Sequence, residues 1–367
     1  MNQIFIMGGG GQRQSNYEAL RLLCMLMVLN LHSFAGYTNG NGLWQAFDFF
    51  RESTSICAVD CFLLISGYFG IKWKFKSFFN LVFQILFYSV GIYLVCVWMG
   101  ITEWSLREFL VRFLCLYRNS WGFVVGYMIL YFCAPLLNTF SQKVTSHELL
   151  VFIVVLFAAT NFICLSVESN RIFTYSLLYL IGRYLKKTDA PNSLKISASK
   201  AYWITTVVIF GLVYFVLFKG LKIISAETIT TLPVGFLGFS YSAPFVILQA
   251  VFLFLVFSRL NFTSKFVNWC AASSFAIFLI HMHPTIKKIG YYSYTRSLYQ
   301  LDVAQHIVVL ILLIATVFIL SILIDKVRIF VSNLCLRLVL FIRSRLPQKW
   351  FMIDTYIPQS LIAINNE

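Results

Sequence analysis

Eighteen consecutive uncharged residues, Ile307 to Ile324, separate His306 from Asp325, and only Thr316 and Ser321 among them are polar. A hydrocarbon core of about 30 Å takes roughly 20 apolar residues as helix. In lipid the backbone must also pair with itself, which leaves helices and closed barrels. The same pattern recurs along the whole chain. We read about ten spans, over 17–35, 54–71, 78–100, 121–139, 148–166, 170–185, 202–219, 241–258, 267–285 and 304–325. Phe, Leu, Ile and Val continue round every face of these segments, so the alternation of a β-barrel is missing. The 170–185 segment is short and the 220–240 loop is apolar, so a segment that re-enters without crossing is the alternative to a full count. Composition agrees: 59% of residues are hydrophobic, 12% are charged, and the mean hydropathy is +0.80. That is about half the charge of a soluble domain. Disorder, a secreted disulfide scaffold and a soluble enzyme are excluded. The expected fold is an all-α, polytopic membrane helical bundle.

Basic residues number 29 against 14 acidic, a net charge of +15. Because these charges stand between apolar runs, they report topology rather than nucleic acid. With the N-terminus inside, nineteen basic residues face the cytoplasm and ten face out. Both termini are then cytoplasmic. The expected organisation is a flexible cytoplasmic tail over 1–15, a transmembrane domain over 16–326, and a cytoplasmic interfacial helix and tail over 327–367. No cleavable signal is expected, and the glycine run after Met7 lacks the strand and the Lys-Ser/Thr of a phosphate loop. Nine cysteines are scattered without a Cys-x-x-Cys pair. They read as small apolar side chains, and no metal is expected.

Ionisable groups inside spans are costly and call for a reason. Arg21 and His32 share the first span. Eleven residues at about 100° each place them on nearly one face, about 16 Å apart along the axis. One stripe thus joins an anion-binding group near the cytoplasmic end to a titratable imidazole in the outer half. Taken singly, Arg21 also reads as a snorkelling anchor and His32 as an interfacial hydrogen-bonder. In the second span Asp60 reaches the depth of His32, either to stabilise an imidazolium or as a helix-end residue. Ser66-Gly67-Tyr68 follows towards the inside, where glycine permits close approach of a helix or a ligand. Lys72, Lys74 and Lys76 then either close the span as positive-inside residues or join Arg21 around an anionic cofactor. His281 returns to the level of His32 in the ninth span. His283 diverges from it by about 200° on a helix, so the two cannot share a metal.

These residues together resemble acyltransferase family 3, the bacterial polytopic enzymes that O-acylate surface polysaccharides. The resemblance rests on Arg21 and His32 at their spacing, Val59-Asp60-Cys61-Phe62 through Ile65-Ser66-Gly67-Tyr68-Phe69, Trp121 through Tyr131 to Pro135-Leu136-Leu137-Asn138, and Ser274 through His281. It covers about residues 16–326. It implies a donor that is acetyl-CoA or another acyl-CoA, its phosphates met by Arg21, Lys72, Lys74 and Lys76, with Ser66 and Tyr68 in the same site. His32 would act as general base or acyl carrier, and Asp60 or His281 would polarise it or stabilise the oxyanion. Trp121, Tyr127 and Tyr131 are the implied platforms for a polysaccharide or lipid-linked sugar acceptor. The setting is the bacterial inner membrane, with surface-polysaccharide assembly proteins as partners. Lysines stand where many members carry an arginine pair, and a fused secreted domain has no room. A flippase for lipid-linked sugars, a glycan polymerase and a membrane scaffold are the competing readings.

Overall fold

A computed structural model of the chain describes residues 14–33, 42–114, 121–163, 167–219, 239–287 and 289–345. Every regular element among the described residues is a helix. The tail over 1–13, the apolar loop over 220–238 and the segment 346–367 lie outside them. The chain divides into two compact units, Met1–Ile322 and Leu323–Glu367.

The first unit opens with α1 (Ser15–His32), α2 (Gly42–Ser55) and α3 (Ala58–Phe69). The expected span 54–71 is therefore broken, because Ile56 and Cys57 form a turn. α3 rises only about 18 Å, yet it is the centre of the unit: Leu63, Leu64 and Ile65 are fully buried. Next come α4 (Phe75–Trp98), α5 (Leu106–Phe113), α6 (Gly122–Lys143) and α7 (Ser146–Ala158). A reciprocal cap starts α7, with Thr145 Oγ1 accepting from the Glu148 N–H at 3.2 Å and the Glu148 carboxylate accepting from the Thr145 N–H at 2.7 Å. Such a box satisfies two orphan donors of the first turn. α7 ends in a wider π turn, Ala159–Ile163.

α8 (Val167–Lys187) packs along the whole of α3. Two glycines allow this. A Cβ at Gly67 would collide with the Tyr179 carbonyl, and one at Gly182 with the Leu64 carbonyl. Small residues bring membrane helices into backbone contact in this way. After α9 (Ala190–Ser193), α10 (Ala198–Phe210) continues as a π-helix over Gly211–Lys219. α11 (Pro244–Ser258) packs on α10 and α3, and Gln249 Nε2 donates to the Ser53 carbonyl at 2.8 Å and to Thr206 Oγ1 at 2.6 Å.

The expected span 267–285 is also interrupted. It comprises α12 (Lys265–Ala271), α13 (Ser274–His281) and the short α14 (Pro284–Lys287), followed by α15 (Tyr291–Ser297). The last helix, α16, runs Val303–Arg345 without a break at 326. Within the second unit Asp325 and Arg328 form an ion pair at 2.6 Å with both side chains fully buried.

Among the described residues four helices are long and apolar enough to cross a membrane: Ser77–Trp98, Gly122–Lys143, Ala198–Phe215 and Val303–Leu334. A fifth is counted if Lys265–His281 and Pro284–Gln300, bent by 62°, form one broken span. The remaining expected spans fall short for physical reasons. α1 carries Glu18 and Arg21, α3 has twelve residues, and Pro244–Ser258 has fifteen. Large apolar side chains such as Trp98, Leu136, Phe266 and Phe330 are nonetheless exposed on the helices and their ends. Such a surface suits lipid better than water.

Candidate active site

His32 is the last residue of α1 and His281 the last of α13, and the two imidazoles meet with Nδ1 of His32 2.8 Å from Nε2 of His281. Their protons follow from their partners. Nδ1 of His281 stands 2.5 Å from the Ile277 carbonyl, which can only accept, so that nitrogen carries hydrogen. Nε2 of His281 is then the acceptor, and Nδ1 of His32 must donate to it. The unprotonated nitrogen of the pair is therefore Nε2 of His32, and no described residue bonds to it. His281 is buried while His32 is partly open. Aromatic rings surround them: Phe278 at 6.4 Å from His32 and 6.0 Å from His281, Tyr292 at 6.2 Å from His32, and Tyr291 at 5.5 Å from His281, between centroids. This arrangement can take a proton from a hydroxyl on one nitrogen while the neighbouring imidazole holds the ring in its tautomer.

The end of α1 is clamped by its neighbours. The last carbonyls of a helix lack intrahelical donors. Here Tyr291 Oη donates to the Leu29 carbonyl at 2.7 Å, and Arg51 of α2 donates to the Asn30 carbonyl at 3.2 Å and to Ser33 Oγ. Arg51 also pairs with Asp48 at 2.9 Å, whose other oxygen accepts from Tyr299 at 2.5 Å. Arg51 thus stands inside a helix rather than in a loop. The Asp48-x-x-Arg51 spacing was the available signal, since residues three apart share a helix face.

At the other end of α1, Arg21 is buried and pairs with Glu18 at 2.7 Å. That contact uses one of its five donors. Tyr127 Oη lies 3.5 Å from Ser66 Oγ. Tyr68 stacks on Tyr17 at 5.6 Å and carries Lys186 Nζ 4.9 Å from its ring centroid. Lys72 and Lys74 are exposed on the segment joining α3 to α4, and the side chain of Lys76 lies outside the described residues. That segment is tied down: Asn138 Nδ2 donates to the Ile71 carbonyl at 2.8 Å, the Ile71 N–H to Tyr179 Oη at 2.9 Å, and Tyr131 Oη to the Lys74 carbonyl at 3.3 Å. Gly70 begins it at φ +75°, a conformation that favours glycine.

Asp60 is fully buried and neither carboxylate oxygen has a hydrogen-bond partner among the described residues, so it stands apart from the imidazole pair. Trp121 immediately precedes α6, and Tyr127 and Tyr131 lie within it. Trp121 donates from Nε1 to the Met282 carbonyl at 3.0 Å beside the histidines, whereas Tyr131 bonds to Lys74, about 15 Å further along α6. His283 faces away from His281 and bonds the Ser89 carbonyl at 3.0 Å. Among the described residues no three His, Cys, Asp or Glu side chains gather as a metal site.

Neither a curated protein nor a solved structure matches the chain. A family model described as an acyltransferase domain matches residues 15–326, which spans both histidines, Arg21 and every helix that packs around them. The chain belongs to acyltransferase family 3.

Proposed function

We propose that this protein is an O-acyltransferase of the bacterial inner membrane that moves an acyl group, acetyl in the first instance, from cytoplasmic acyl-CoA to a hydroxyl of a surface or exported polysaccharide. The observation that carries the reading is the His32–His281 contact at 2.8 Å, which leaves Nε2 of His32 as the basic nitrogen. About ten membrane-crossing segments, with both termini in the cytoplasm, would put Arg21 inside and the imidazoles towards the outer face.

Nε2 of His32 takes the proton of the acceptor hydroxyl as its oxygen adds to the thioester carbonyl. The tetrahedral intermediate then collapses, the C–S bond breaks, and the imidazolium returns its proton to the leaving thiolate of coenzyme A. His281 accepts the Nδ1 hydrogen bond throughout and steadies the charged ring. The unused donors of Arg21, with Lys72, Lys74 and Lys76, meet the donor phosphates, and Ser66 and Tyr68 line its path. Trp121 and Tyr127 offer faces to the acceptor sugar, and Tyr131 supports the donor end. Surface-polysaccharide assembly proteins would supply the acceptor.

The test is transfer of radiolabel from acetyl-CoA to glycan in membranes holding wild type or His32→Ala at equal amounts. Label in glycan that disappears with His32→Ala is the expected result. Normal labelling by His32→Ala would overturn the mechanism, and no labelling by wild type would overturn the donor or the acceptor.

A further inference from the structure

We propose that the histidine end of the site takes an acceptor that carries negative charge, read by Lys287 and Arg171; the inference rests on the acyl-transfer reading and names the chemistry of its acceptor. Lys287 closes α14 and is partly buried, with Nζ 5.3 Å from the Tyr292 ring centroid. That ring in turn lies 6.2 Å from His32. Lys287 is within electrostatic reach of both imidazoles. Arg171, on α8, is also partly buried. Its guanidinium lies against Gly122, where a Cβ would strike it, and its stem covers Gly126 together with the Tyr175 ring. From Tyr175 the rings continue to Phe123 at 5.8 Å, and from Phe123 to Phe278 at 5.7 Å, which borders both histidines. Tyr241 is in electrostatic reach of the carboxylates Asp60 and Glu52 as well as of Arg171 and Tyr292. Rings thus lead from each cation to the histidines, Tyr292 from Lys287 and Tyr175, Phe123 and Phe278 from Arg171.

Among the described residues neither cation has an ion-pair partner, the side chain of Glu168, three residues before Arg171, lying outside them, whereas Arg51 and Arg112 meet carboxylates at 2.9 and 3.0 Å. A partly buried cation beside apolar rings is costly unless it is paired, and in membrane proteins such groups mark substrate paths. Lys287 also repels the imidazolium that forms when His32 takes a proton. A neutral sugar leaves both problems standing. An acceptor bearing a carboxylate or a phosphate answers both, and its charge-assisted contacts fix which hydroxyl faces Nε2. The anionic group has two sources, the carboxylate of an acidic sugar or the pyrophosphate of a lipid carrier.

Direct binding to the purified full-length protein in detergent tests this without any acyl transfer, so its failure is separate from failure of the reaction itself. Two probe pairs are titrated: farnesyl pyrophosphate against farnesol, and a glucuronic acid disaccharide against its glucose counterpart. The expected result is that the charged member of one pair binds about tenfold more tightly than the neutral member. That preference falls away in Lys287→Gln and in Arg171→Gln and survives in Lys287→Arg, which also shows that the site is still folded. Which pair shows it identifies the source of the charge. Equal binding of charged and neutral members in both pairs, binding by none of the four, or a preference that persists in both glutamine variants would overturn the proposal.

Discussion

Arg51 and Asn30 hold each other across the gap between α2 and α1. Nη1 of Arg51 donates to Asn30 Oδ1 at 3.0 Å and to the Asn30 carbonyl at 3.2 Å, while Asn30 Nδ2 donates back to the Arg51 carbonyl at 3.2 Å. A cation at the carbonyl end of a helix is favourable, and Asp48 keeps this one neutralised. Two residues beyond Asn30 stands His32. The clamp therefore sets the position of the imidazole through the backbone that carries it.

Loss of the clamp should appear in turnover rather than in donor binding. For Arg51→Gln the transfer rate is expected to fall about tenfold to a hundredfold, the range that a displacement of about 1 Å produces. The donor concentration for half-maximal rate should stay unchanged, because Arg21 and the lysines are untouched. Arg51→Lys should recover little, since an ammonium lacks the planar fork. Initial rates in membranes across donor concentrations decide this.

His281 and Asp60 should separate sharply. His281→Ala removes the acceptor that holds Nδ1 of His32, and a loss of about two orders of magnitude or more in transfer rate is expected. Asp60→Asn removes a carboxylate that bonds neither histidine and should retain transfer within about threefold. Rates of the two variants at matched protein levels make the comparison. Equal losses would place Asp60 in the chemistry after all.

Gly67→Ala tests the packing of α3 on α8. Its new Cβ would meet the Tyr179 carbonyl, and backbone cannot yield as a flexible side chain can. A destabilisation of about 1–3 kcal/mol is expected, read as a lower midpoint in thermal unfolding of the detergent-solubilised protein. Gly91→Ala, where a Cβ meets nothing within 4 Å, is the control and should unfold as wild type does.

Arg21→Gln should act on the donor. One guanidinium nitrogen belongs to Glu18 and the rest are available for phosphate. The half-saturating donor concentration is expected to rise about tenfold, the loss of a charge-assisted contact, before the limiting rate falls. Glu18→Gln should change it less. An unchanged donor response in Arg21→Gln would remove Arg21 from the phosphate site.

Much of the helix pattern was legible because it is local. The expected segments 78–100 and 121–139 correspond closely to Phe75–Trp98 and Gly122–Lys143, where uncharged runs leave the backbone no solvent to bond. The breaks at Ile56-Cys57 and Ala272-Ser273 were not legible, since neither carries Pro or Gly. Hydropathy does not register a two-residue turn inside an apolar run, and the last carbonyls of α2 are met from other helices, Ser53 by Gln249 and Thr54 by Tyr202. By length and composition the described helices supply four or five candidate spans, against about ten expected.

The same division runs through the site. Residue order alone implies a helical membrane protein and puts Arg21 and His32 on one face of one helix, because both follow from side-chain transfer energy and a repeat of about 3.6 residues. That the hydrogen-bond partner of His32 is His281, 249 positions away, rather than Asp60 at a matching depth, follows from the folded arrangement of the helices. Depth within a helix is set by residue count. Which helix faces which is set by close packing, here by two glycines that bring α3 against α8 and by an arginine that ties α2 to the end of α1.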